Sequence, residues 1–78
     1  MVYNFNVKFY NGPVTIDTIQ NEYLLLYVIR GSCHVHLASE TLHMNPKDVL
    51  MINGNRHFKL QNQPSAFLLA IYVRAELF

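Results

Sequence analysis

Apolar residues in this chain fall into two kinds of run. Tyr23 to Ile29, Val49 to Ile52 and Phe67 to Val73 are apolar at every position. Uninterrupted runs of this length fit strands buried on both faces. Cys33-His34-Val35-His36-Leu37 instead alternates strictly, which puts Cys33, Val35 and Leu37 on one face and both histidines on the other. Val2 to Phe9 alternates more loosely, with Tyr3, Phe5, Val7 and Phe9 against Asn4, Asn6 and Lys8, and reads as a strand with one apolar face. Val14 to Ile19, Thr41 to Met44 and His57 to Leu60 complete the expected strands.

Turn chemistry separates these runs. Asn11-Gly12-Pro13, Gln20-Asn21-Glu22, Gly31, Ala38-Ser39-Glu40, Asn45-Pro46-Lys47-Asp48, Asn53-Gly54-Asn55 and the polar stretch Gln61 to Ser65 all interrupt the apolar pattern. No segment has helical periodicity, and no internal repeat is visible. Short strands at regular spacing predict an all-β fold, a small antiparallel barrel or sandwich in one domain spanning residues 1–78.

Composition narrows the function. The chain has 78 residues, is 51% hydrophobic and 14% charged, and carries a net charge of +1. It is too apolar for a disordered chain, and apolar enough for so small a domain that a partner surface is expected to cover part of it. The six lysines and arginines are scattered, with no stripe able to neutralise successive phosphates. The apolar runs, Leu24 to Ile29 among them, are too short to span a bilayer as a helix. Without a basic region followed by an apolar core at the N-terminus, a cytoplasmic location is expected. The lone Cys33 excludes an internal disulfide and is expected to be a buried thiol.

Glu22-Tyr23, Tyr27-Val28-Ile29-Arg30-Gly31, Val35, Leu42, Lys47-Asp48, Ile52-Asn53-Gly54-Asn55 and His57 together resemble the cupin barrel. More closely, they resemble the N-terminal cupin-like sensing domain of AraC/XylS-type bacterial transcription regulators. That family's pattern has a Tyr-Val-Leu-x-Gly strand end, a Gly-Asp turn and Ile-Asn-Pro-Asn shortly before a histidine. Here Lys47 replaces the glycine of the turn and Gly54 replaces the proline. The likeness covers about two-thirds of the chain. It implies a jelly-roll type β-barrel that belongs to a larger protein, and the apolar ending Leu77-Phe78 fits a truncation.

The same resemblance sets the candidate site. Cupin enzymes hold a metal with two histidines and a carboxylate, the carboxylate separated by six residues from the strand-end glycine. In this chain Leu24 stands at the carboxylate position, and Asp17 to Gln20 contain no histidine. One remaining imidazole cannot hold a catalytic metal, so no metal and no cofactor is expected. His57 at the second-motif position is expected to face the barrel interior, with Leu24, Leu26 and Val28 lining a largely apolar ligand pocket. The stripe Tyr23, Leu25, Tyr27 and Ile29 then points outward and needs covering.

His34 and His36 follow the glycine and turn away from the core. They read as solvent-facing strand residues with at most adventitious affinity for nickel or zinc, and His43 has no partner at ligand spacing. Asp48 reads as a turn aspartate bonded to nearby amides. No catalytic residue is expected: Cys33 and Ser32 lack an activating base, and there is no glycine-rich phosphate loop.

The expectation is therefore a non-enzymatic, metal-free sensing domain, homodimeric, taking a small effector in the barrel or relaying a signal by contact. DNA would be reached only through a domain outside this chain, with no membrane partner. The alternatives are a stand-alone cupin isomerase or dioxygenase, and an interaction barrel whose core is filled by its own side chains.

Overall fold

The structure is a computed structural model, and it describes residues 2–17, 22–53 and 57–76. These residues form eight strands: β1 (Val2–Asn11), β2 (Thr15–Asp17), β3 (Tyr23–Arg30), β4 (Cys33–Leu37), β5 (Thr41–Met44), β6 (Val49–Asn53), β7 (Phe58–Asn62) and β8 (Phe67–Glu76). The strands follow the apolar runs of the sequence, and no helix occurs among the described residues. The turns expected at Gln20-Asn21-Glu22 and Asn53-Gly54-Asn55 fall partly outside the described residues.

The strands form two four-stranded sheets, ordered β1-β8-β3-β6 and β2-β7-β4-β5. Among the described residues every pairing is antiparallel, and β4–β5 is the only hydrogen-bonded pair of consecutive strands. All other neighbours are reached by crossing from one sheet to the other, which is the jelly-roll arrangement. The two kinds of apolar run sort accordingly. The continuously apolar β3, β6 and β8 all lie in the first sheet, and the alternating β4 and β7 lie in the second.

The passage from β3 to β4 depends on Gly31. Its φ is +76°, and a Cβ there would lie 2.7 Å from the Ala66 Cα. Only glycine fits a backbone approach this close. At the β5–β6 turn, the Asp48 N–H donates to the Asn45 carbonyl at 3.0 Å and Lys47 has φ +76°. Pro46 in second place and a positive φ in third is the pattern of a type II turn, whose third position favours glycine. The Asp48 carboxylate accepts from the Asn45 N–H at 2.8 Å, the local role expected for it. The Lys47 N–H and the Asp48 carbonyl then bond the Val28 backbone, tying the turn to the end of β3.

Between the sheets lies an apolar core. Leu24, Leu26 and Val28 of β3 and Leu68 and Ala70 of β8 meet Cys33 and Val35 of β4 and Leu60 of β7, all fully buried. Apart from the Tyr72 phenol, no polar or charged side chain is buried among the described residues. Burial pushes the Cys33 thiol pKa up to about 11, with a smaller contribution from the Asp48 charge, so the thiol stays protonated and unreactive.

The first sheet has a second apolar face, directed outward. Directly opposed residues of antiparallel strands project to the same side. One outward row runs Val7, Ile71, Leu25 and Met51, and the next runs Phe9, Leu69, Tyr27 and Val49. Phe5, Phe9 and Met51 are 67%, 61% and 65% exposed. The apolar face of β1 therefore points away from the core, and its polar residues lie on the inner side.

Candidate functional site

That inversion of β1 creates a polar cluster at one end of the inner face. Asn6 pairs with Tyr72 and Lys8 with Ala70, placing both polar side chains on the side that carries the core. Tyr72 lies on β8 opposite Leu24 and is 9% exposed. Its hydroxyl is 2.9 Å from that of Tyr10, and the Lys8 Nζ stands 5.6 Å from the Tyr72 ring centroid. A cation at that distance over an aromatic face is attracted by the ring quadrupole. Glu22 precedes β3 at the same end and is half-buried.

Burial raises the Tyr72 pKa well above the usual phenol range; the bond to Tyr10 and the charges of Tyr10 and Glu22 raise it further. Tyr72 is thus a neutral phenol, able to donate and accept. Two phenols and an ammonium, packed against the buried Leu24, can recognise a small molecule bearing hydroxyl or carboxylate groups.

The residues expected to form the pocket divide. Leu24, Leu26 and Val28 point inward and are fully buried, as the register of β3 predicts, and Tyr23, Leu25, Tyr27 and Ile29 take the other face. His57, expected inside the barrel, is exposed. It stands just before β7, whose inward residues are Phe58 and Leu60. Alternation from Phe58 turns the preceding position to the opposite side, so one residue of register separates the expectation from the structure.

The interior does not fit the metal of the cupin enzymes. Leu24, fully buried among leucines and valines, occupies the carboxylate position, and no group of three or more His, Cys, Asp or Glu among the described residues is placed to hold a metal ion; positions 18–20 of the first motif lie outside the described residues. His34 and His36 do turn away from the core, as expected. Yet His43, expected to stand alone, lies against His34 across the β4–β5 pair.

Sequence reasoning missed Tyr10 and Tyr72. Tyr72 is hidden inside the unbroken apolar run of β8, and Tyr10 lies just past the expected end of β1. The signal was the alternation of Asn4, Asn6 and Lys8, but alternation alone does not say which face is inside.

A family model described as the AraC-like ligand binding domain matches residues 9–78. Among solved structures, a cupin superfamily protein from Desulfitobacterium hafniense has a TM-score of 0.76 at 12% identity, covering 94% of this chain and 68% of that one. The Cnp3 cupin domain of Schizosaccharomyces pombe has a TM-score of 0.72 at 12% identity, over 95% of this chain and 56% of that one. Ectoine synthase from P. lautus has a TM-score of 0.70 at 16% identity, over 96% of this chain and 55% of that one. This chain thus spans little more than half the length of the last two. At such identities these likenesses show the cupin fold alone. The search of curated proteins found no match.

Proposed function

We propose, because the chain belongs to the family of AraC-like ligand-binding domains, that it is the non-enzymatic sensing domain of a bacterial AraC-type transcription regulator. The observation that carries this reading is the Tyr10–Tyr72–Lys8 cluster at the end of the inner face, above Leu24. The middle of the barrel is filled by leucines and valines, which moves the ligand from the centre of the core to its polar end. There a hydroxylated or carboxylated small molecule meets two phenols and a cation. Leu24, beside Tyr72 in the register and fully buried, packs the base of the cluster, while Leu26 and Val28 support it from within the core.

The outward face of the first sheet supports a second element of the reading, a homodimer. Its two central rows carry no charge, so a second copy meets no unpaired ion there. Aromatic and methionine side chains such as Phe9 and Met51 are the residue types enriched in protein interfaces. DNA is contacted by a domain outside this chain, and the regulator works in the cytoplasm. No helix of the described residues is long and apolar enough to cross a membrane.

The test is a thermal-shift panel of sugars, sugar acids and short carboxylates on the purified chain. At least one compound is expected to raise Tm by mass action, and Tyr72→Phe or Lys8→Met should weaken its binding at least tenfold. A panel without a shift, or a ligand indifferent to both substitutions, would overturn the reading.

A further inference from the structure

The outer face of the second sheet carries a histidine pair that sensing at the barrel end does not use. The β4–β5 register sets His34 directly opposite His43. Their rings meet edge to face, with centroids 4.6 Å apart and planes at 68°. The approach brings His43 Nδ1 to 2.9 Å from His34 Nε2. On a tetrahedral ion with bonds of ~2.0–2.1 Å, two ligand nitrogens stand roughly 3.3 Å apart. The pair therefore needs to open by a few tenths of an ångström, with the two rings tilting until both lone pairs meet at the ion.

A third residue fixes which nitrogen faces the gap. His43 Nε2 donates to the Asn45 side-chain oxygen at 3.1 Å, which leaves the Nδ1 lone pair directed at His34. A carbonyl holding the far nitrogen of an imidazole is the usual means of orienting a metal-binding histidine. Without a metal, His34 Nε2–H donates into that lone pair. An ion can take the place of the shared proton if His34 moves its own proton to Nδ1, and no net charge is lost from either ring. His36, on the same face, differs: its ring nitrogens face Thr41 Oγ1 and Gln61 Oε1, each at 3.1 Å.

We propose that His34 and His43 form a two-imidazole site for a late first-row divalent ion, zinc, nickel or copper(II), with water in the remaining positions. The chemistry suits these metals because imidazole is a ligand they share. The site lies outside the barrel, unlike the interior position that Leu24 closes to a metal. It joins the edge strand β5 to β4, its only neighbour among the described residues. An ion bound there clips the end of the second sheet and stabilises the folded chain.

The test is titration of the untagged, metal-free chain with Zn²⁺ alone, read by calorimetry and by Tm. Wild type is expected to take up one ion per chain with a rise in Tm. His34→Gln and His43→Gln should each weaken binding at least tenfold, and His36→Gln should change it less than twofold. Asn45→Ala, which frees the far nitrogen of His43, should weaken binding by about tenfold. His43 is exposed, so its replacement leaves the core untouched. Absence of saturable binding at one ion per chain would overturn the proposal. So would equal losses in the His36 and His43 variants, or undiminished binding after His43→Gln.

Discussion

The two sheets use the same inner chemistry and opposite outer chemistry. On the inside, Leu24, Leu26 and Leu68 of the first sheet and Val35 and Leu60 of the second are equally and fully buried. On the outside, the first sheet shows rows of leucine, isoleucine, valine and aromatic residues, while the second shows His34, His36, His43 and Gln61 in hydrogen-bonded groups. The second sheet pairs the polar groups of its outer face with one another. The first does not, since most of its outer residues, Val7, Leu25, Phe9 and Met51 among them, have no hydrogen bonds to make and gain only when covered. A difference between faces thus divides the molecule into a self-sufficient layer and one suited to a partner.

The core shared by both sheets carries the largest expected effects. Leu26→Ala and Leu60→Ala, one from each sheet, should each cost about 4 kcal/mol, the scale of a buried leucine cavity. Urea unfolding would measure both; a cost in one sheet far below that in the other would show that the core is not shared evenly. Gly31→Ala strikes the crossing between the sheets. Its left-handed backbone and the approach to Ala66 should together cost about 3 kcal/mol. A normal stability for that variant would mean the β3–β4 passage relaxes freely.

A smaller change with the opposite sign is expected at Lys47. Its φ of +76° is strained for a side chain, so Lys47→Gly should raise stability by about 1 kcal/mol. That glycine is the residue the family pattern holds at this place, and the structure explains why.

Cys33 provides a pH test of the second sheet. The fold raises its pKa from 9.0 to about 11, so between those values the unfolded chain releases a proton that the folded chain keeps. The resulting stabilisation is complete below 9.0 and is lost as pH rises towards about 11. Cys33→Ala should flatten the stability curve in that range, leaving a residual slope of the same sign from Tyr72, whose phenol is also shifted upward. A slope unchanged by the substitution would remove the thiol as its source.

The smallest effect on stability, and the most direct test of the outer contrast, belongs to Met51→Glu and Val7→Lys. Both residues are more than half exposed, so unfolding of the isolated chain should change by about 0.5 kcal/mol or less. Sedimentation should nonetheless show self-association in wild type and its loss in both variants. A monomeric wild type would leave the apolar face without a second copy to cover it.

The sequence by itself determined the strands, because each rests on local pattern and local turn chemistry. Cys33–Leu37 and Thr41–Met44 begin and end where alternation and turn residues place them. It also determined the inward set Leu24, Leu26 and Val28, the buried thiol, the local role of Asp48 and the family. Tertiary structure decided what depends on which strands become neighbours. Alternation in β1 says that two faces differ, but only pairing with β8 turns Lys8 and Tyr10 towards Tyr72 and sends Phe5 and Phe9 outward. His57 moved from inside to outside for the same reason, since a period of two leaves a face ambiguous until one residue is anchored in the core. His34 and His43 are nine residues apart in the chain and meet only through the β4–β5 register. Patterns along the chain carry the faces; contacts across it carry the sites.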